Sequence, residues 1–214
     1  PVGLIDAAIL ECACLGDDAP AAHLDIHLNQ AVVTHFSSGA TLKRTRVDIF
    51  RELGWTQILD NWSEWFARRF VEETRFDPHH GPEAEQGLLD QLLKLSGADS
   101  LEDQKITLKA GSKSFALDVP AEAWSEAGQS TFTQLKTGLS GIETVALSAA
   151  ARTIPGLLTT LSDVADVVDL PSDALTQSFE RHRDTLIKGA ERLSATESLT
   201  LAKHGESQDR AVTH

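Results

Sequence analysis

The chain has 214 residues, 41% of them hydrophobic and 24% charged, a balance that supports a packed core and excludes a compositionally disordered chain. Its formal charge of −13, from 32 acidic against 19 basic residues, disfavours polyanionic partners, so neither nucleic acid nor an anionic membrane is expected to bind it. No apolar run approaches the roughly 18 residues of a membrane span, and the opening "PVGLIDAAILECACLG" lacks the basic flank of a secretory signal, so a soluble cytoplasmic protein is expected.

Along the chain, the apolar opening carries the only two cysteines, Cys12 and Cys14. Their C-x-C spacing is tighter than the C-x₂-C of zinc and redox sites, and they are expected to be buried and inert. Methionine is absent and the sequence opens on Pro1, so a fragment or a processed chain is expected. "HLDIHL", "AVVTHF" and "TLKRTRVDIF" are β-rich runs divided by "NQ" and by the turn signal "SSGA", which predicts three consecutive antiparallel strands. Alternation within "KRTR" predicts charges on a solvated face.

After Gly54 the period changes. Trp55, Ile58, Leu59, Trp62, Phe66 and Phe70 recur at three and four, the stripe of an amphipathic helix reaching about Phe76, and Glu64 lies four before Arg68 on its exposed side. The stripe is expected to pack against a neighbouring element, with a partner groove as the alternative. "DPHHGPE" breaks that helix, and His79 and His80, between two prolines, are expected to be solvated. A second helix is predicted from about Pro82 to Leu95, then a hairpin over "QKITLKAGSKSFALDVP" and a helix from Ala121 carrying Trp124, Phe132, Leu135 and Leu139. "IETVALSA" reads as a strand covered on both faces, "IPGLLTTLSD" as a helix and "VADVVDL" as a strand. "PSDALTQSFERHRDTLIKG" reads as a helix capped by Ser172, with Leu175, Phe179, His182 and Leu186 on one face. Beyond about Glu191 a last strand at "ESLTL" and a loose tail over 203–214 are expected.

This order of segments resembles the second half of the actin-like ATPase fold, as found in DnaK-type heat-shock chaperones. There a three-stranded meander opens with a "D-x-G-G-G-T" loop at the phosphates. A helix-helix-hairpin insertion forms a cap, and the chain returns through a helix, a strand ending in "G-G-x-x-x-x-P" and a closing helix. Here "LDIHLNQAVVTHF" stands at the phosphate loop and "LGWTQILDNW" at the cap-entry helix. "VALSAAARTIPGLLTTL" stands at the adenosine turn, and "LPSDALTQSF" at the start of the closing helix. The likeness spans about Leu24 to Leu186. It implies an α/β, ribonuclease H-like half-fold: a mixed sheet with flanking helices, a core over 1–54 and 120–202, and an inserted cap over 55–119. It also implies ATP or ADP with magnesium as ligand, Asp25 as the acid that organises metal and attacking water, and a protein partner or client; taken without the resemblance, Asp25 reads as a polar residue at a strand end or facing solvent.

The departures limit what the resemblance carries. Glycines in a phosphate loop let backbone N–H groups close on phosphate oxygens, and His27, Leu28 and Asn29 stand in their place. In the adenosine turn, Ser148, Ala149, Ala150 and Ala151 stand at the nucleotide, with Ala149 and Ala150 replacing the paired glycines. The closing helix lacks the family's glycine near Ser178, and the first phosphate loop with its catalytic lysine belongs to the other half of that fold. Weak adenine-nucleotide binding with impaired or absent hydrolysis is expected of the full-length protein, with this fragment alone inactive, and a pseudo-ATPase acting as an interaction scaffold without nucleotide binding is the alternative. Two other chemistries were open to the residues. His23, Asp25 and His27 share one strand face and, with His35, suggest imidazole and carboxylate metal ligands, although no metal signature matches. No serine sits in a G-x-S-x-G elbow.

Overall fold

The computed structural model describes residues 4–37, 39–98, 102, 104–187 and 195–201. The opening segment forms a short strand β1 (Leu4–Ile5) and a helix α1 (Ala7–Ala13), started by Asp6, whose carboxylate accepts the Ala8 N–H at 3.0 Å. The predicted meander follows as β2 (Ala22–Ile26), β3 (Gln30–Ser37) and β4 (Thr41–Arg51). Next come α2 (Trp55–Thr74), α3 (Pro82–Ser96) and the hairpin of β5 (Gln104–Ala110) and β6 (Lys113–Val119). The chain then runs through α4 (Glu122–Ala127), α5 (Gln129–Gly138), β7 (Thr144–Leu147), α6 (Ala149–Arg152), α7 (Leu157–Leu161), β8 (Asp166–Val168) and α8 (Ala174–Ile187). It ends its described part with β9 (Ala195–Thr196), which pairs with β1, and β10 (Ser198–Thr200). The expected tail over 203–214 lies outside the described residues.

Six strands form one mixed sheet in the order β10-β4-β3-β2-β7-β8. β10, β4, β3 and β2 run antiparallel, whereas β2, β7 and β8 run parallel, so β2 joins the two halves. Alternation on β2 sends Ala22, Leu24 and Ile26 into the larger core, with α2, α4, α5 and α7. The opposite face turns His23 and Asp25 toward α1, which packs on α8 over the smaller core of Ile9, Cys12, Leu42 and Ala146. β7 is covered on both faces as its sequence predicts: Val145 and Leu147 enter the larger core and Ala146 the smaller.

Two local departures move side chains to unexpected places. A bulge opposite His35 and Phe36 puts an extra residue, Thr45, into β4, and the pleat changes face there. Arg44 therefore reaches Asp6 at 3.0 Å and Glu197 at 2.9 Å on the α1 side, while Arg46 pairs with Asp48 on the other. Of the "KRTR" charges, Lys43 and Arg46 are exposed as expected, whereas Arg44 is drawn to the α1 side by its two ion pairs. The helix expected from Ala121 is divided at Gly128 into α4 and α5.

The aromatic stripe of α2 is core. Ile58, Trp62, Phe66 and Phe70 are completely buried, and Trp124 of α4 meets the Trp62 ring edge-on at 4.8 Å. The same core takes in Leu88 of α3 and Ile106 of β5 together with Leu24 and Val33 of the sheet, so apolar packing is continuous from the sheet through 55–119.

On α8 the expected face is borne out in part, with His182 buried and Leu186 packed against the smaller core. Ala174, Ser178 and His182 point inward, whereas Leu175 and Phe179 are 43% and 42% exposed. Ser178 Oγ and His182 Nε2 are buried without a hydrogen-bond partner. Burial, and then the Arg181 charge, hold the His182 imidazole below its ordinary 6.5. The unfolded chain therefore binds this proton more readily, so the stability tied to His182 is full above about pH 6.5 and lost as pH falls below it. His182→Leu is expected to flatten the fall in thermal midpoint between about pH 7.5 and about pH 5.5. An unchanged slope would show that this histidine does not set it.

Candidate functional site

The carboxyl ends of β2, β7 and β8 converge, the place where open α/β sheets bind ligands. Ser148 ends β7 and ties this region together. Its hydroxyl donates to Asp25 Oδ1 at 2.6 Å and accepts the Ala151 N–H at 3.1 Å, capping α6, while its own N–H donates to the Leu24 carbonyl at 2.9 Å. Asp25 Oδ2 lies 3.3 Å from His27 Nε2. Asp25 and the 148–151 turn, which are 123 positions apart at their hydrogen bond, are thus brought together.

Beside them lies a pocket of about 330 Å³. One wall is Ala149, Arg152 and Thr153, the facing wall is the segment from Leu170 to Leu175, and Glu11 of α1 enters from a third side. Arg152 is held at the rim, donating to the Leu170 carbonyl at 3.0 Å and pairing with Asp169 at 2.9 Å. Ala149 borders the space, whereas neither the buried Ala151 nor the exposed Ala150 lines it. The volume lies at the lower end of the range for small-ligand sites.

The 27–29 turn is arranged differently from a phosphate grip. Its carbonyls accept N–H groups at the start of α2: Trp55 to His27 at 2.9 Å, Thr56 to Leu28 at 2.9 Å, and the preceding Glu52 to Asn29 at 3.2 Å. The Thr56 hydroxyl adds bonds at 3.1 Å to the Leu28 carbonyl and to Asn29 Oδ1. Gly54 permits this approach, because a Cβ there would lie 2.4 Å from the Asn29 carbonyl carbon and the Gln30 nitrogen. The donors that attract anions at a helix start are thus partly taken up by the turn itself. Leu28 is left 62% exposed, and His27 and Asn29 are also at the surface.

The histidines do not form one cluster. His23 and Asp25 face the α1 side, whereas His35 lies on the other face with Asp48 at 2.8 Å. Burial works to raise the Asp48 carboxyl, but bonds from His35 and Arg46 outweigh it and hold the group below its ordinary value. Among the described residues no group of three or more His, Cys, Asp or Glu side chains is placed to hold a metal ion. Burial pushes the Cys12 and Cys14 thiols up, away from the reactive thiolate; Cys12 is buried as expected and Cys14 only partly so. No helix among the described residues is long and apolar enough to cross a membrane.

Sequence patterns do not single out Glu11. The buried His23 ring, 3% exposed, places Nε2 at 2.7 Å from Glu11 Oε2 across the α1–sheet interface. Its available signal is modest: Glu11 is the one charged residue between Asp6 and Asp17, in an otherwise apolar helix. No family model matches the chain, and no curated protein matches it.

Proposed function

We propose that this chain is the second lobe of an actin-like, DnaK-type ATPase fold and that it binds an adenine nucleotide weakly, with hydrolysis impaired or absent. The observation that carries this is the pocket at the carboxyl ends of β7 and β8, bordered by Ala149 and Arg152 of the turn that resembles the family's adenosine turn. Support also comes from the strand order, an antiparallel meander followed by two parallel strands, with α2, α3 and the β5–β6 hairpin inserted after β4. Alanine in place of glycine adds only a methyl group, so base and ribose can still approach this wall.

Catalysis fits less well. Magnesium in nucleotide sites takes one or two carboxylates together with substrate phosphates. Asp25 is the carboxylate that the resemblance places there, and its oxygens already face Ser148 and His27. The 27–29 carbonyls are committed to α2, and side chains replace the glycines that would let amides close on phosphate. That commitment is also the observation favouring the second reading, an interaction scaffold for a protein partner that has lost nucleotide binding altogether.

Thermal unfolding with magnesium and ADP or ATP separates the two. A ligand of the folded state at about a hundred times its Kd adds about 2.7 kcal/mol and raises the midpoint. A saturable rise with both nucleotides, without phosphate release, is the expected result. No rise at millimolar nucleotide would leave the scaffold.

A further inference from the structure

We infer that Glu11 reads the sugar of the bound nucleotide, accepting hydrogen bonds from the vicinal hydroxyls of a ribose, and that His23 is the residue that positions it. This rests on the nucleotide binding proposed above and specifies the ligand class of that same pocket. A carboxylate only accepts, so the His23 ring carries its hydrogen on Nε2 and donates it to Glu11 Oε2 across 2.7 Å. Because His23 is buried in the sheet, that bond fixes the carboxylate against a rigid support. Glu11 Oε1 has no hydrogen-bond partner among the described residues and is left to accept from a ligand.

The position of Glu11 agrees with that role. It borders the pocket of about 330 Å³ and also a smaller cavity of about 220 Å³ that contains His23 and Asp25. Leu147, Leu170, Pro171 and Leu175 supply apolar wall suited to a flat base. A fixed carboxylate beside such a wall favours a neutral group with two adjacent donors and repels phosphate. A ribose diol meets both conditions, as acidic side chains do in dinucleotide sites. Bound in this way, the nucleotide keeps its phosphates away from α1.

Calorimetric titration with ADP and with 2′-deoxy-ADP tests the assignment through a ratio that a merely structural role would not move. Losing one hydrogen bond to a charged acceptor should weaken binding about tenfold or more, so the chain is expected to prefer ADP by roughly that factor. Glu11→Ala, which leaves no group to meet the hydroxyls, should bring the ratio close to one. His23→Gln, which keeps a donor near Glu11, should retain the preference, and His23→Leu should lose it. Equal affinities in the unmodified chain, or a preference that survives Glu11→Ala, would overturn the assignment and leave nucleotide binding standing; contact of Glu11 with the base amine would give that equal ratio. If neither nucleotide binds, both the assignment and the binding itself fall.

Discussion

Trp124→Ala is expected to cost about 3–5 kcal/mol of stability. Trp124 is completely buried where α4, α2 and the β5–β6 hairpin meet. Its ring meets Trp62 at 4.8 Å and Phe66 at 5.3 Å, both edge-on, and such pairs contribute about 0.5–1.5 kcal/mol each beyond the area they bury. Its indole N–H donates to Gln104 Oε1 at 3.3 Å, tying α4 to the first strand of the hairpin. The truncated site would have to collapse from three elements at once, which close packing resists. Urea unfolding, followed by far-ultraviolet dichroism and by fluorescence of the remaining tryptophans, measures the loss. A cost below about 1 kcal/mol would mean that α4, α2 and the hairpin do not close tightly on one another at Trp124.

Gly54→Ala is expected to destabilise by about 3 kcal/mol and to loosen the 27–29 turn. The added methyl would sit 2.4 Å from backbone atoms of Asn29 and Gln30, and no flexible side chain is there to yield. Relief requires parting α2 from the turn, which breaks the bonds from Trp55 and Thr56 to the His27 and Leu28 carbonyls. Hydrogen exchange at the Trp55 and Thr56 amides should therefore quicken together with the loss of stability. Gly39→Ala serves as the control, since nothing lies within 4 Å of its added Cβ, and it is expected to stay within about 0.5 kcal/mol of the unmodified chain. Equal behaviour of the two variants would contradict the close approach at Gly54.

Where one face of an element is buried, its period was legible. The alternating runs gave β2, β3 and β4, the three-four spacing from Trp55 to Phe70 gave α2, and the continuous apolar run gave β7. The opposite happened where tertiary contacts overrode the period. Thr45 bulges β4 and moves Arg44 and Arg46 to opposite faces, a change that a local pattern does not encode. On α8 the small polar Ser178 takes the buried position and Phe179 the exposed one, because α1 lies close on that face. Site contacts were the least legible of all. Ser148 meets Asp25 across 123 positions and His23 meets Glu11 across 12, and neither pair carries a spacing rule. That residues 27–29 carry no glycine was visible in sequence. That the same turn caps α2 was not, because hydrogen bonds from a helix start to a distant loop leave no periodic trace.

Titration of the chain with magnesium and ADP, alongside Ala149→Phe, tests nucleotide binding at the β7–β8 pocket most directly. Ala149 is exposed and borders the pocket, so a phenyl ring there should fill the space and leave the core unchanged. Saturable binding by the unmodified chain that is abolished in Ala149→Phe, with thermal midpoints of the free proteins alike, is the predicted result. Absence of binding at millimolar nucleotide, or binding that Ala149→Phe leaves intact, would contradict it.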